Sequence, residues 1–221
     1  MTVRLYYAPG ACSFIPHAAL ELVSAACGET FDYAQVKLHK GEHKTPEYLA
    51  MNPDGQVPML LVDGKPLTQI LAILSYIDGR WPKAGLLPAD PWARAQTMSM
   101  LAWLNNTVHP TFTHVFMPGK FTDDADAQAK VRAHAIATYR GQMERIQGWV
   151  DCAQPFLSGP SAGLLDAYVL TVFRWSGYAG IDPASLPALR DHVQRVAQQP
   201  AFAAAIARER IAFDTYKPAA A

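Results

Sequence analysis

"VPMLLVDGKPLT", residues 57–68, consists of two apolar runs around Asp63-Gly64. An Asp-Gly pair accepts the positive φ angles of a two-residue hairpin turn, so the stretch reads as two antiparallel strands. Pro58 falls at the start of the first strand, where a missing N–H is tolerated. Downstream, "TQILAILSYIDG" (68–79) carries helical spacing to a glycine. Upstream, "TPEYLAMN" (45–52) is a short helix with Thr45 as N-cap and Pro46 in the first helical position. Before it, "FDYAQVKL" (31–38) reads as a strand, and "VRLYYA" (3–8) as another, ended by Pro9-Gly10. Between these two, Ile15, Ala18, Ala19, Leu22 and Val23 share a helical face running from Cys12 to about Ala26. Pro16 sits in the first turn of that helix, where it does little harm. The order β-α-β-α-β-β-α, over about 80 residues, predicts a small mixed sheet with helices against it.

Residues 81–91, "WPKAGLLPADP", hold three prolines and a glycine and read as a linker that ends at an Asp90 N-cap and Pro91. Beyond it the chain turns alanine-rich with no strand pattern. Helices are expected near 91–117, 124–151, 164–178, 186–198 and 200–212. The predicted organisation is an α/β domain over 1–80, a linker over 81–90 and an all-α domain over 91–221.

The 221 residues balance 19 Lys+Arg against 19 Asp+Glu. That balance argues against a nucleic-acid surface or an acidic tail. Cys12, Cys27 and Cys152 are far apart and form no CxxC or zinc spacing, which fits a reducing interior and implies no metal. There is no apolar leader at the N-terminus and no run of 18 apolar residues, so a cytoplasmic protein without a membrane segment is expected.

A βαβ unit, a ββα unit and a helical domain together resemble the cytosolic glutathione transferases, most closely their bacterial cysteine-containing branch (beta-class-like). The residues that carry the resemblance are "YYAPGACSFIPHAALE", "NPDGQVPMLLVDGKPLTQILAILSYI", "VHPTFTHVF" and "LLDAYVLTVFRW". The resemblance implies a thioredoxin-like first domain that binds glutathione as cosubstrate, an apolar electrophile against the helical domain, a homodimer and a role in detoxification. It implies that Val57 binds the cysteinyl part of glutathione through its main chain beside a cis Pro58. Lys40 matches a lysine aimed at the glycyl carboxylate, with Lys37 or His39 as alternatives. Where relatives carry an acid and a small residue at the start of the last helix of the first domain, this chain has Gln69-Ile70. Gln69 accepts a hydrogen bond but brings no charge, and Ile70 still offers its N–H. His109 matches a histidine near the active-site cleft of bacterial relatives, and Asn105 an asparagine that reaches glutathione from the neighbouring subunit.

Three groups compete to activate the thiol. Cys12 stands at a helix N-terminus, where free N–H groups and the dipole favour a thiolate with a pKa below about 8.5. Ser13 and then Tyr6 are the hydroxyl alternatives, by resemblance to other branches of the family. Cys27 and Cys152 read as packing residues, His17 as a structural hydrogen-bonder, and Asp166 as a helix cap facing Gly163. Trp103, Phe112, Phe116, Phe173 and Trp175 read as mostly core, with the lining of an apolar cosubstrate pocket as the alternative for Phe112 and Phe116. Besides conjugation, two other functions are open: a monothiol disulfide reductase acting through Cys12, and a non-catalytic binding protein on the same scaffold.

Overall fold

The computed structural model describes every residue except Gln154, Phe213, Asp214 and 218–221, so the terminal "PAAA" lies outside the described residues. No helix among the described residues is long and apolar enough to cross a membrane. Two compact units emerge. The first is Met1–Thr97 with Gln198–Ile211; the second is Met98–Ala197 with the described residues from Ala212 onward.

In the first unit, β1 (Val3–Tyr7) alternates Val3, Leu5 and Tyr7 inward. It pairs in parallel with β2 (Asp32–Gln35), which is shorter than the expected strand, and antiparallel with β3 (Met59–Val62). β4 (Lys65–Thr68) completes the order β2-β1-β3-β4. The turn between β3 and β4 is the one expected: Asp63 and Gly64 both take positive φ, 46° and 79°.

The helix α1 (Phe14–Cys27) stops at Gly28, whose φ of 72° closes it in the left-handed conformation. Phe14, Ile15, Ala18, Ala19, Leu20 and Val23 are fully shut from solvent, and each large aliphatic among them stabilises the fold by roughly 1.5–3 kcal/mol. The short helix α2 (Pro46–Met51) is capped by Thr45, whose Oγ1 accepts the Tyr48 N–H at 3.3 Å. The helix α3 (Ile70–Arg80) buries Ile70, Ile73, Leu74 and Ile77.

The expected linker is tied down rather than loose. Asp78 on α3 accepts the Leu87 N–H at 3.1 Å and the Arg94 guanidinium at 2.5 Å. Asp90 caps α4 (Pro91–Trp103) through the Ala93 N–H at 2.8 Å. From the far end of the sequence, α9 (Pro200–Glu209) packs on α1 within this same unit. Compactness therefore groups the chain differently from the expected split at 81–90.

The second unit is helical. After α4 the chain makes a π-helical turn, Leu104–Val108, and continues as α5 (His109–Phe116). Next come α6 (Ala125–Val150), α7 (Leu164–Ser176) and α8 (Pro187–Ala197). All but one residue of α7 are buried, which its all-round apolar sequence requires. The expectations for aromatics and cysteines are corrected at two places: Phe116, the last residue of α5, is 57% exposed although it stacks on Phe112, and Cys152 lies at the surface just after the end of α6.

Candidate active site

Register builds the site in the first unit. Tyr6 of β1 stands opposite Met59 of β3, and Met59 opposite Thr68 of β4. One end of the sheet thus carries the β1–α1 loop with Cys12, the Val57-Pro58 turn and the Gln69-Ile70 start of α3. Because β2 runs parallel to β1, with Tyr7 opposite Gln35, the segment leading to Lys40 leaves from that end too. Six residues expected at the site, Cys12, Lys40, Val57, Pro58, Gln69 and Ile70, come from a single edge.

The Val57-Pro58 peptide is cis. The loop before it is braced by two groups that sequence reasoning missed. Tyr48 Oη donates to the Gln56 carbonyl at 2.6 Å, and Asn52 Nδ2 donates to the same oxygen at 2.7 Å. Gly55 has a φ of 58°, and a Cβ there would come within 3.0 Å of the His43 carbonyl. Only glycine fits.

Cys12 donates its S–H to the Val57 carbonyl at 3.4 Å. The expected low thiol pKa is corrected: burial pushes it up to about 12, and the Glu209 carboxylate adds to the rise. Backbone donors at Cys12 and Ser13 favour the thiolate but do not offset desolvation. Ser13 is fully buried; its hydroxyl accepts the Ala8 N–H at 3.0 Å and donates to the Ala8 carbonyl at 3.2 Å. It closes the turn and is occupied in both directions. Tyr6 packs edge-to-face on Tyr48 beside Val36, Val57 and Met59, a core position.

Behind the loop lies Glu209, another residue that sequence reasoning missed. Its Oε2 accepts the Gly10 N–H at 2.8 Å, and its Oε1 pairs with His17 Nδ1 at 2.8 Å. His17 is fully buried and structural, as expected.

Gln69 is exposed and holds φ 71°, ψ 120°, a conformation that L side chains rarely adopt. Ile70 turns its side chain into the core at 5% exposure. Its bulk therefore stays out of the space in front of the helix start. The first backbone bond of α3 runs from the Ile73 N–H to the Gln69 carbonyl, leaving the earlier N–H groups without intrahelical partners. Lys37 lies 4.0 Å from Glu42, while Lys40 has no ion-pair partner among the described residues.

The second unit holds His109 and Asn105 together. Tyr168 on α7 donates to Asn105 Oδ1 at 3.1 Å and lies 3.4 Å from His109 Nδ1. The His109 ring also tilts against Trp175, with centroids 4.9 Å apart. Burial, followed by the charge of Lys120, pushes the imidazole down to about 4, so it is neutral at pH 7. Asp166 caps α7 as expected, accepting the Gly163 N–H at 2.9 Å. Among the described residues, no group of three or more His, Cys, Asp or Glu could hold a metal ion.

Residues 1–79 match the family described as "Glutathione S-transferase, N-terminal domain". The glutathione S-transferase GstA of Escherichia coli O157:H7 is 31% identical over 213 residues, 94% of this chain and 98% of that one. The chain belongs to the glutathione transferase family. It is, by that membership, a glutathione transferase-like enzyme. A glutathione transferase homologue from Sulfitobacter, solved with bound glutathione, superposes with a TM-score of 0.86 at 26% identity, covering 95% of this chain and 99% of that one. A bacterial beta class transferase from Sphingomonas chungbukensis gives 0.78 at 30% identity, covering 93% and 98%.

Proposed function

We infer that the chain catalyses attack of the glutathione thiolate on an apolar electrophile, with glutathione lying along the first unit and the enzyme acting as a homodimer. The observation that carries this reading is the shared sheet edge, where Cys12 lies 3.4 Å from the carbonyl that precedes the cis proline. Val57 pairs its main chain with the cysteinyl part of glutathione. The γ-glutamyl carboxylate meets the free N–H groups at the start of α3, where the dipole favours an anion. Gln69 accepts from the γ-glutamyl ammonium without a charge, and Lys40 faces the glycyl carboxylate.

Once the Val57 carbonyl accepts from the cysteinyl N–H of glutathione, the Cys12 S–H turns from it to the glutathione sulfur, and this neutral donor lowers the pKa of the bound thiol. The glutathione proton passes to the neutral imidazole of His109 as the sulfur attacks. The sulfur lone pair then forms the S–C bond, and any leaving group departs with its electron pair.

The disulfide-reductase reading is disfavoured by the same thiol. With a pKa of about 12, only about one Cys12 in 10⁵ is a thiolate at pH 7, and the thiolate is the form that attacks a disulfide.

Calorimetry with glutathione, paired with initial rates against an activated aryl chloride and a mixed disulfide, tests this reading. Wild type binds glutathione and conjugates it. Cys12→Ser keeps conjugation within roughly threefold, since a hydroxyl still donates, whereas Cys12→Ala loses roughly tenfold in kcat. Wild type that binds no glutathione would overturn the reading and leave a binding protein on the transferase scaffold.

A further inference from the structure

The π-helical turn explains how Asn105 and His109 come to share a partner. Pro110 has no N–H, and in a regular helix its ring would strike the carbonyl four residues back, that of Asn106. The chain widens instead, and the His109 N–H reaches the Leu104 carbonyl, five residues back. Asn105 and His109 then both meet the hydroxyl of Tyr168, a fully buried residue of α7.

The hydrogen bonds order the protons along this chain of groups. Asn105 Nδ2 donates to Asn106 Oδ1 at 2.8 Å, which turns Asn105 Oδ1 toward Tyr168. An amide oxygen only accepts, so the single hydroxyl proton of Tyr168 goes to Asn105 at 3.1 Å. The Tyr168 oxygen is left to accept, and His109 Nδ1, 3.4 Å away, must be the donor. In a neutral imidazole a proton on Nδ1 puts the lone pair on Nε2. No hydrogen bond to Nε2 is found among the described residues.

We propose that Tyr168 is a positioning residue which, with its hydroxyl proton committed to Asn105, holds His109 in the Nδ1–H tautomer with Nε2 as the proton acceptor. This rests on the reading of His109 as the acceptor of the glutathione proton. It also moves Asn105 from a contact with glutathione to the orientation of Tyr168. The arrangement is directional. Taking away the Asn105 acceptor frees the Tyr168 proton to turn toward Nδ1, which inverts the tautomer even though Tyr168 and His109 are both still present.

Imidazole ¹⁵N chemical shifts of labelled full-length protein read the proton position directly. Wild type shows His109 protonated on Nδ1. Asn105→Ala moves the proton to Nε2, and Tyr168→Phe, which keeps the buried ring, also loses the Nδ1–H preference. Both variants lose on the order of tenfold in kcat against an activated aryl chloride, with KM for glutathione within roughly twofold. In a His109→Gln background, Tyr168→Phe has no further effect on kcat. A wild-type proton on Nε2 overturns the proposal, as does an unchanged tautomer in Asn105→Ala. If the tautomers behave as stated but His109→Gln leaves kcat intact, the positioning by Tyr168 stands and the role of His109 in the reaction falls.

Discussion

Asp166 and Glu209 are both carboxylates shut away from solvent beside a histidine, at 0% and 3% exposure, one in each unit. Asp166 collects donors from nearby in sequence: the N–H groups of Leu157, Ser158 and Gly163, at 2.9, 3.1 and 2.9 Å. His192 adds Nε2 at 2.9 Å. Its work is local, holding the start of α7 and the turn before it. Glu209 has fewer partners and greater reach, since its pairing with His17 spans 192 positions and that with Gly10 spans 199. The first carboxylate stabilises a helix end; the second ties α9 to the loop that presents Cys12. A buried charge is thus used once to cap and once to fasten.

The largest effect is expected at the cap. Asp166→Ala strands three backbone donors and His192, and should cost about 3–5 kcal/mol, read as a shift of the urea midpoint at unchanged slope. A loss below about 1 kcal/mol would mean that the four donors find other partners. Glu209→Gln keeps an acceptor and loses a charge, so the loss should be smaller, about 1–2 kcal/mol. Its sharper signature is faster hydrogen exchange at the Gly10 amide. The carboxylate also raises the Cys12 thiol, so alkylation of Cys12 in this variant should reach half its maximal rate at lower pH than in wild type. No change there would separate the loop from the charge behind it.

The two pairs also respond to pH in opposite senses. Burial raises the Asp166 carboxyl, but the His192 hydrogen bond and the other donors outweigh it and hold it below the ordinary 3.8. The stability it contributes is present above that value and lost as pH falls through the folded value. At His17, burial lowers the imidazole, but hydrogen bonds to Glu209 and Glu21 outweigh it and raise the folded value above 6.5. That contribution is complete below 6.5 and disappears as pH rises through the folded value. Exchange at the Gly163 amide should therefore speed up on the acid side and exchange at the Gly10 amide on the alkaline side. Parallel behaviour of the two amides would remove the contrast.

The smallest effect belongs to backbone strain. Gln69→Gly relieves a non-glycine residue at φ 71° and should stabilise the fold by about 0.5–1 kcal/mol, while glutathione affinity falls with the lost amide. A destabilised variant would mean that the side chain supports the turn.

Short-range signals account for what could be read in advance. Asp63-Gly64, Thr45-Pro46, Asp90-Pro91 and the spacing from Gly163 to Asp166 each encode their structure within four residues, and the strand and helix order followed from them. The site edge was legible for the same reason, because its loops sit at the ends of those elements. Other features lie beyond any local pattern. Glu209 ends an alanine-rich helix and looks like a solvated charge. Tyr168 sits in an apolar helix, 59 positions from His109. The thiol of Cys12 was misjudged because a helix start is visible in sequence and desolvation is not. The bonds of the Ser13 hydroxyl back to Ala8 likewise have no signature in the local sequence.

The membership of α9 in the first unit sets an order of events during synthesis. The sheet, α1 and α3 are made first, and the partner of His17 and Gly10 is added 192 and 199 residues after those two positions. At about 5–20 residues per second, that interval lasts roughly 10–40 s. Throughout it the nascent chain holds an open α1 face and an unfastened Cys12 loop, so the stretch between Pro9 and His17 waits longest for its partner.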